Sequence, residues 1–347
     1  MNVGVLTGGG DCPGLNAVIR AIVYKGIKEY DYNILGIYEG WRGLLEGKPI
    51  APLTLDDVVG ILSAGGTILK TSRTNPFSHK KGIERIKKTI KKYQMDAIIA
   101  IGGEDTLGVA AKLHQEGIKI VGVPKTIDND VSGTDQTFGF DTAVNIATEA
   151  IDRLRSTAEA HSRVFLVEVM GRHAGWIALQ SGIAGGAHMI LVPEYPIDVD
   201  DVLSNIVKRH ARGEEYTMIV VAEGARLKKD AGKSDYILLE PEKDEFGHVR
   251  LGGIAYILAK IIEEKTGYEC RNAILGHIQR GGTPTAYDRV LSTRYGIEAI
   301  DLIHKRKFGT MVALRGTKIM GVPLVQAMKK IKTIDKSFYK VAEVFFG

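Results

Sequence analysis

The sequence predicts an α/β protein built as two doubly wound domains, and three observations carry this. Short runs that are apolar throughout recur along the chain, as strands covered on both faces of a parallel sheet require. Each run leads into a glycine-rich or polar turn and then into helical periodicity, the alternation that builds sheets flanked by helices. With 347 residues, the chain exceeds the ~250–300 at which a single core stops growing, so two cores are expected.

In chain order, Val3–Leu6, Asn33–Ile37, Ala97–Ile101, Ile118–Val123, Val164–Val169, Met189–Val192 and Met218–Val221 read as strands. Helices are expected near 14–29, 80–93, 105–116, 140–160, 174–185, 199–212, 252–266 and 286–305. Asp141 before Thr142-Ala143-Val144, and Asp198 to Asp201 before Val202-Leu203, are helix-start signals. The segment from Arg226 to Arg250 is rich in Lys, Asp and Glu and reads as a surface insertion or hairpin. The basic run from Lys80 to Lys92 has helical spacing and reads as a solvated helix face.

Composition narrows the function classes. A net charge of +5, with Lys and Arg dispersed along the chain, suits an anionic metabolite better than nucleic acid. Cys12 and Cys270 are the only cysteines, too few for a disulfide framework and wrongly spaced for zinc, so a reducing, cytoplasmic setting is expected. The N-terminus enters a strand at once, and no run of ~18 apolar residues occurs, so neither secretion nor a membrane partner is expected.

Ligands of an open parallel sheet sit beyond the carboxyl ends of its strands, which directs attention to four turns. Thr7-Gly8-Gly9-Gly10-Asp11-Cys12-Pro13-Gly14 leads into a helix. It is either a phosphate cradle of backbone N–H groups or an ordinary glycine turn. Gly102-Gly103-Glu104-Asp105-Thr106 sets two carboxylates at a strand end, as magnesium beside a phosphate requires; a helix cap accounts for one of them. Lys125-Thr126-Ile127-Asp128-Asn129-Asp130 combines a cation for phosphates with a carboxylate for a hydroxyl proton. As a plain turn, Asp-Asn-Asp is also unsurprising. Finally, Met170-Gly171-Arg172, Glu223-Gly224 and Gly276-His277-Ile278-Gln279-Arg280-Gly281-Gly282 each place a polar or cationic group beside glycine after an apolar strand, which fits a phosphorylated sugar.

Together, and in this order from Met1 to about Gly309, these motifs resemble the bacterial 6-phosphofructokinase family. The resemblance implies two α/β domains, 1–138 with about 280–325 for the phosphoryl donor and 139–279 with about 326–347 for fructose 6-phosphate, and an active site in the cleft between them. It implies that Asp128 deprotonates the C1 hydroxyl beside Thr126 and Asp130, and that Arg172 stabilises the transferring phosphoryl group. Gly9, Gly10, Arg73 and Thr106 would meet the donor, and Glu104 would hold Mg2+. Met170, Gly171 and Glu223 would contact the sugar, and Arg163, Arg271, His277 and Arg280 its 6-phosphate. In relatives Arg163 and Arg271 come from a neighbouring subunit, so a homo-oligomer is implied.

Two departures from the ATP-using pattern point to the pyrophosphate-dependent branch. Asp105 and Lys125 stand where ATP users have glycine. A carboxylate at Asp105 would repel a nucleotide α-phosphate, and Lys125 would supply a cation for the free end of pyrophosphate. Glu104 in place of aspartate is a milder change. In allosteric relatives a basic cluster binds anionic effectors; here Glu214-Glu215 replaces part of it, with Arg155 and Arg20 remaining, so an enzyme without such regulation is expected. The rivals are an ATP-dependent 6-phosphofructokinase, which Asp105 disfavours, and an inactive sugar-phosphate sensor on the same fold, which intact Asp128 and Arg172 disfavour.

Overall fold

The computed structural model describes residues 1–228, 234–235, 238–240, 245–247 and 250–346. The chain divides into two units, Met1–Thr142 with Asp244–His248 and Arg280–Ile331, and Ala143–Lys243 with Val249–Gln279 and Lys332–Gly347.

Five strands open the chain: β1 (Asn2–Thr7), β2 (Asn33–Ile37), β3 (Ile50–Pro52), β4 (Ala97–Gly102) and β5 (Ile120–Pro124). The second unit supplies β6 (Val164–Val169), β7 (Met189–Leu191) and β8 (Thr217–Ala222), and later β13 (Cys270–Ile274). Between them lie β9 (Leu227–Lys228), β10 (Ser234–Asp235), β11 (Leu238–Glu240) and β12 (Arg250–Leu251). Thereafter β14 (Thr310–Arg315) and β15 (Lys318–Pro323) return to the first unit.

The first unit's sheet runs β15-β14-β5-β4-β1-β2-β3. Its central strands are parallel, and all six residues of β4 are buried, as a strand covered on both faces must be. Ile98, Ile99 and Ile101 are each at most 1% exposed, and trimming one to alanine would cost about 2–5 kcal/mol. The second unit's sheet, β13-β6-β8-β7, is parallel throughout. Its core gathers Leu166, Ile219, Ile254 and Leu258.

The larger sheet is mixed. Antiparallel β3 and β15 close the two edges of the larger sheet. The segment after Gly309 contributes β14, which lies parallel to β5, and β15. Gly316 at φ 56° makes the tight turn between these two. Much of 226–250, read as an insertion or hairpin, falls outside the described residues; what is described forms the antiparallel pairs β9–β10 and β11–β12. Helices stand at Leu15–Tyr30, Glu104–Gln115, Phe140–Ala160, Val199–Ala211, Ile254–Thr266 and Ala286–His304, among others. Asp198 caps the fourth of these, its side chain accepting from Asp200 N.

Candidate active site

In the first unit, the turns after β1, β4 and β5 meet at the carboxyl ends of adjacent strands. Thr106 is the peg that fits them together. It is buried, and a Cβ on Gly8 would lie 2.6 Å from its hydroxyl oxygen, one on Gly102 2.3 Å from its Cβ. Glycine at both positions follows from that packing. The Trp41 indole N–H holds the Thr106 carbonyl at 3.3 Å. Thr106, expected to meet the donor, thus also shapes the turn it stands on.

Gly9 adopts φ 79°, a conformation that favours glycine. Its N–H donates to the Ser72 carbonyl at 3.1 Å and its carbonyl accepts the Thr71 hydroxyl at 2.6 Å. The N–H of Gly9, expected to face phosphate, is therefore engaged here by the strap that carries Arg73. Arg73 itself is exposed.

Lys125 is buried at 3% exposure, and its amino group donates to the Gly10 carbonyl. Burial pushes its pKa below the usual lysine range, and the Arg280 guanidinium adds to the fall. Arg280, read from sequence with the sugar 6-phosphate, has its Nη1 3.4 Å from the Asp11 carbonyl, and a Cβ on Gly10 would sit 2.3 Å from that nitrogen. Two cations thus close on the same glycine turn.

The N-cap of helix Glu104–Gln115 is Gly103, with no side-chain cap, so neither Glu104 nor Asp105 takes the N-cap position. Both lie in the first turn, Glu104 exposed and Asp105 half-buried, where carboxylates complement the helix dipole. Among the described residues no three His, Cys, Asp or Glu side chains converge as a metal cage. Mg2+ needs no such cage, since it is bound by one or two carboxylates and substrate phosphates.

The loop from Lys125 to Gly139 folds back on itself. Thr137 donates through its hydroxyl to the Thr126 carbonyl at 2.8 Å and through its N–H to Asn129 Oδ1 at 3.1 Å. Asn129 takes the left-handed conformation, φ 51°, which asparagine tolerates. Asp128 N donates to the Thr126 hydroxyl at 3.1 Å. The Asp128 Oδ1 atom is buried without a hydrogen-bond partner among the described residues, an acceptor available to a hydroxyl proton or a cation. Thr126 and Asp130 are half-buried.

In the second unit, Met170, Gly171 and Arg172 follow β6, and Glu223 and Gly224 follow β8. Gly224 N donates to the Gly171 carbonyl at 3.1 Å, and a Cβ on Gly224 would lie 2.0 Å from the Arg172 carbonyl. The two turns are therefore interlocked. Gln279, fully buried, accepts from Met170 N at 3.3 Å and donates to the Gly276 carbonyl at 3.0 Å, fastening the His277 segment to the same place. His277 is exposed. Glu168 on β6 receives Gly253 N at 2.8 Å and Ala255 N at 3.0 Å, capping helix Ile254–Thr266 from below. Its burial pushes the carboxyl pKa up against those bonds. Neither Gln279 nor Glu168 was given a role from sequence. A glutamate within an otherwise apolar strand run was the available signal for the second.

Arg163 and Arg271 do not join this group within the chain. Arg163 immediately precedes β6 and Arg271 is the second residue of β13, so both lie at the amino ends of their strands. Both pair with Glu269, Arg163 at 2.8 Å.

The phosphofructokinase family pattern matches residues 2–303, which takes in every one of these turns. The chain belongs to the phosphofructokinase family. A pyrophosphate–fructose 6-phosphate 1-phosphotransferase of Amycolatopsis methanolica is 59% identical over 347 residues, 100% of each chain. An ATP-dependent 6-phosphofructokinase 3 of Streptomyces coelicolor is 52% identical over 343 residues, 99% of each. Among solved structures, Pichia pastoris phosphofructokinase in the T-state superposes with a TM-score of 0.83 at 31% identity, over 99% of this chain and 36% of that one. This chain therefore spans little more than a third of the yeast subunit. Membership of the phosphofructokinase family fits the α/β units and the glycine-rich turns at their strand ends. Among the described residues no helix is long and apolar enough to cross a membrane.

Proposed function

We propose that this phosphofructokinase transfers a phosphoryl group from pyrophosphate to the C1 hydroxyl of fructose 6-phosphate. The products are fructose 1,6-bisphosphate and phosphate, and the reaction runs readily in both directions. Full-length similarity to enzymes of that name carries the reading. The buried Lys125 amino group beside Gly10 gives it a physical basis. Pyrophosphate ends in a charged group where a nucleotide continues into its α-phosphate, so a cation at Lys125 and a carboxylate at Asp105 favour the shorter donor.

In this reading Asp128 takes the C1 proton as that oxygen attacks phosphorus and the bridging P–O bond breaks, releasing phosphate. Thr126 and Asp130 flank it. Arg172 balances charge on the transferring group. Gly9, Gly10, Arg73 and Lys125 bind the donor, and Met170, Gly171 and Glu223 orient the sugar. Mg2+, held through Glu104 and the donor phosphates, would neutralise charge between them. His277 and Arg280 gather the 6-phosphate together with Arg163 and Arg271 of a neighbouring copy, in a cytoplasmic homo-oligomer. The position of those two arginines at the amino ends of β6 and β13, remote from Met170 along the strand, supports a second copy supplying them.

The test is turnover of purified protein with Mg2+ and fructose 6-phosphate, given pyrophosphate or ATP, and the reverse reaction from fructose 1,6-bisphosphate and phosphate. Rapid use of pyrophosphate in both directions is expected. Exclusive use of ATP would transfer the assignment to the ATP-dependent enzymes, which are also full-length relatives.

A further inference from the structure

Outside the turns that meet substrate, one fully buried polar cluster is built against the loop that carries Asp128. Tyr295 lies on helix Ala286–His304 at 0% exposure. Its hydroxyl donates to the Gln136 carbonyl at 2.6 Å, accepts from Leu314 N at 3.2 Å, and meets the Thr134 hydroxyl at 2.9 Å. Thr134, 2% exposed, accepts from Leu314 N at 3.0 Å. Burial pushes the Tyr295 phenol pKa up, so the proton given to Gln136 stays in place. One phenol therefore ties together a helix, strand β14 and the returning limb of the loop.

That limb is the one that sets Asp128. Gln136 is followed by Thr137, whose two bonds hold the Thr126 carbonyl and the Asn129 side chain on either side of Asp128. The Phe138 ring meets the Tyr295 ring edge-on, at 6.4 Å between centroids and 70° between planes. A phenylalanine would fill the same space without the cost of desolvating a hydroxyl. What the hydroxyl adds is directional: it fixes the height and register of residues 134–137 against the sheet.

We infer that Tyr295, with Thr134, is a positioning residue for phosphoryl transfer, holding the loop from Lys125 to Gly139 so that the Asp128 carboxylate meets the acceptor hydroxyl. The inference rests on the reading of Asp128 as the base. Proton abstraction needs heavy atoms within about 2.6–3.2 Å, and a displacement of ~1 Å costs up to about 100-fold in rate. Tyr295 touches neither substrate and acts only through the loop.

The experiment compares Tyr295→Phe, Thr134→Val and Thr134→Ser in the full chain, in wild-type and Asp128→Asn backgrounds. It follows kcat, both KM values and the thermal midpoint. Tyr295→Phe and Thr134→Val should each lower kcat by about tenfold, with KM for fructose 6-phosphate and pyrophosphate within about twofold. Thr134→Ser, which keeps the hydroxyl, should restore kcat. In the Asp128→Asn background, Tyr295→Phe should change the residual kcat by less than about twofold, because its effect passes through the carboxylate. An equal fall in both backgrounds, or a lowered thermal midpoint with unchanged kcat, would make Tyr295 a packing residue and overturn the inference. Near-normal turnover by Asp128→Asn alone would instead overturn the base assignment on which it rests.

Discussion

Lys125 holds an ammonium group where burial disfavours one, with the Gly10 carbonyl as its hydrogen-bond partner and Arg280 close enough to depress its pKa further. An arriving phosphate would offset both penalties. Since the folded pKa lies below the usual lysine value, the charge is lost at a lower pH than on an exposed lysine. The KM for pyrophosphate should therefore rise with pH on the alkaline limb, and Lys125→Gly should abolish that limb along with most pyrophosphate use. Asp105→Gly acts differently, removing a half-buried carboxylate from the first turn of helix Glu104–Gln115. The kcat/KM for ATP should rise relative to pyrophosphate. A ratio within about threefold of wild type, under ~0.7 kcal/mol of discrimination, would remove Asp105 from donor choice.

At the scale of elements, helix Ala286–His304 holds the loop through Tyr295 and the first turn of the following helix, Phe140–Ala160, through Asp288, seven residues earlier on its buried face. Besides Tyr295, Asp288 accepts Thr142 N at 2.8 Å and the Thr142 hydroxyl at 2.6 Å. Burial pushes its pKa up from 3.8 to about 6, against the Thr142 bonds. The folded chain then holds a proton that the unfolded chain lacks between those two values. Asp288 thus favours folding at low pH, and that contribution is lost as pH rises through the window, by roughly 3 kcal/mol at most. Relative to wild type, Asp288→Asn should gain stability between pH 4.5 and pH 7 in urea unfolding. A gap independent of pH would show that the carboxylate is already accommodated.

The loop after helix Val199–Ala211 bears on regulation. Glu214 pairs with the buried Arg209 and, at 3.0 Å, with Arg212. Arg155 donates to the Gly185 carbonyl, and Glu215 accepts the Ser162 hydroxyl at 3.3 Å. An anionic effector would have to displace a carboxylate already bound to a buried arginine. Fructose 6-phosphate saturation should be hyperbolic and unmoved by ADP or phosphoenolpyruvate; a several-fold shift by either would contradict this.

Which elements were legible follows from how their residues are buried. β1, β4, β5, β6 and β8 are sequestered over most of their length, so they stand out as apolar runs. β13 and β15 are partly exposed, and their Cys-Arg-Asn-Ala-Ile and Lys-Ile-Met-Gly-Val-Pro sequences carry no such run. Of the site, glycine and charge at the strand ends could be read. The supports could not, because Thr106, Gln279 and Tyr295 take meaning only from partners 65, 109 and 159 residues away.

At the scale of the whole molecule, Arg163 and Arg271 pose a geometric problem. Arg163 and Met170 bracket the six-residue strand β6, which separates them by roughly 20 Å at ~3.3 Å per residue. A sugar phosphate held at Met170 cannot reach across that length, so these arginines either serve a neighbouring copy's site or have no part in binding. Subunit complementation separates the two. A chain carrying Asp128→Asn keeps both arginines, and a chain carrying Arg163→Ala and Arg271→Ala keeps the base; each alone should be nearly inactive. When the two are unfolded together and reassembled, a site made from the base of one and the arginines of the other is intact. Random association makes that combination in roughly a quarter of sites, so about a quarter of wild-type turnover should return. The recovered activity should show wild-type KM for fructose 6-phosphate, since the intact sites contain no substitution. Hybrid assemblies, demonstrated by a tag on one chain, that remain inactive would mean that each chain's arginines act in its own site, and near-normal turnover by the Arg163→Ala, Arg271→Ala chain alone would mean that they have no part in binding.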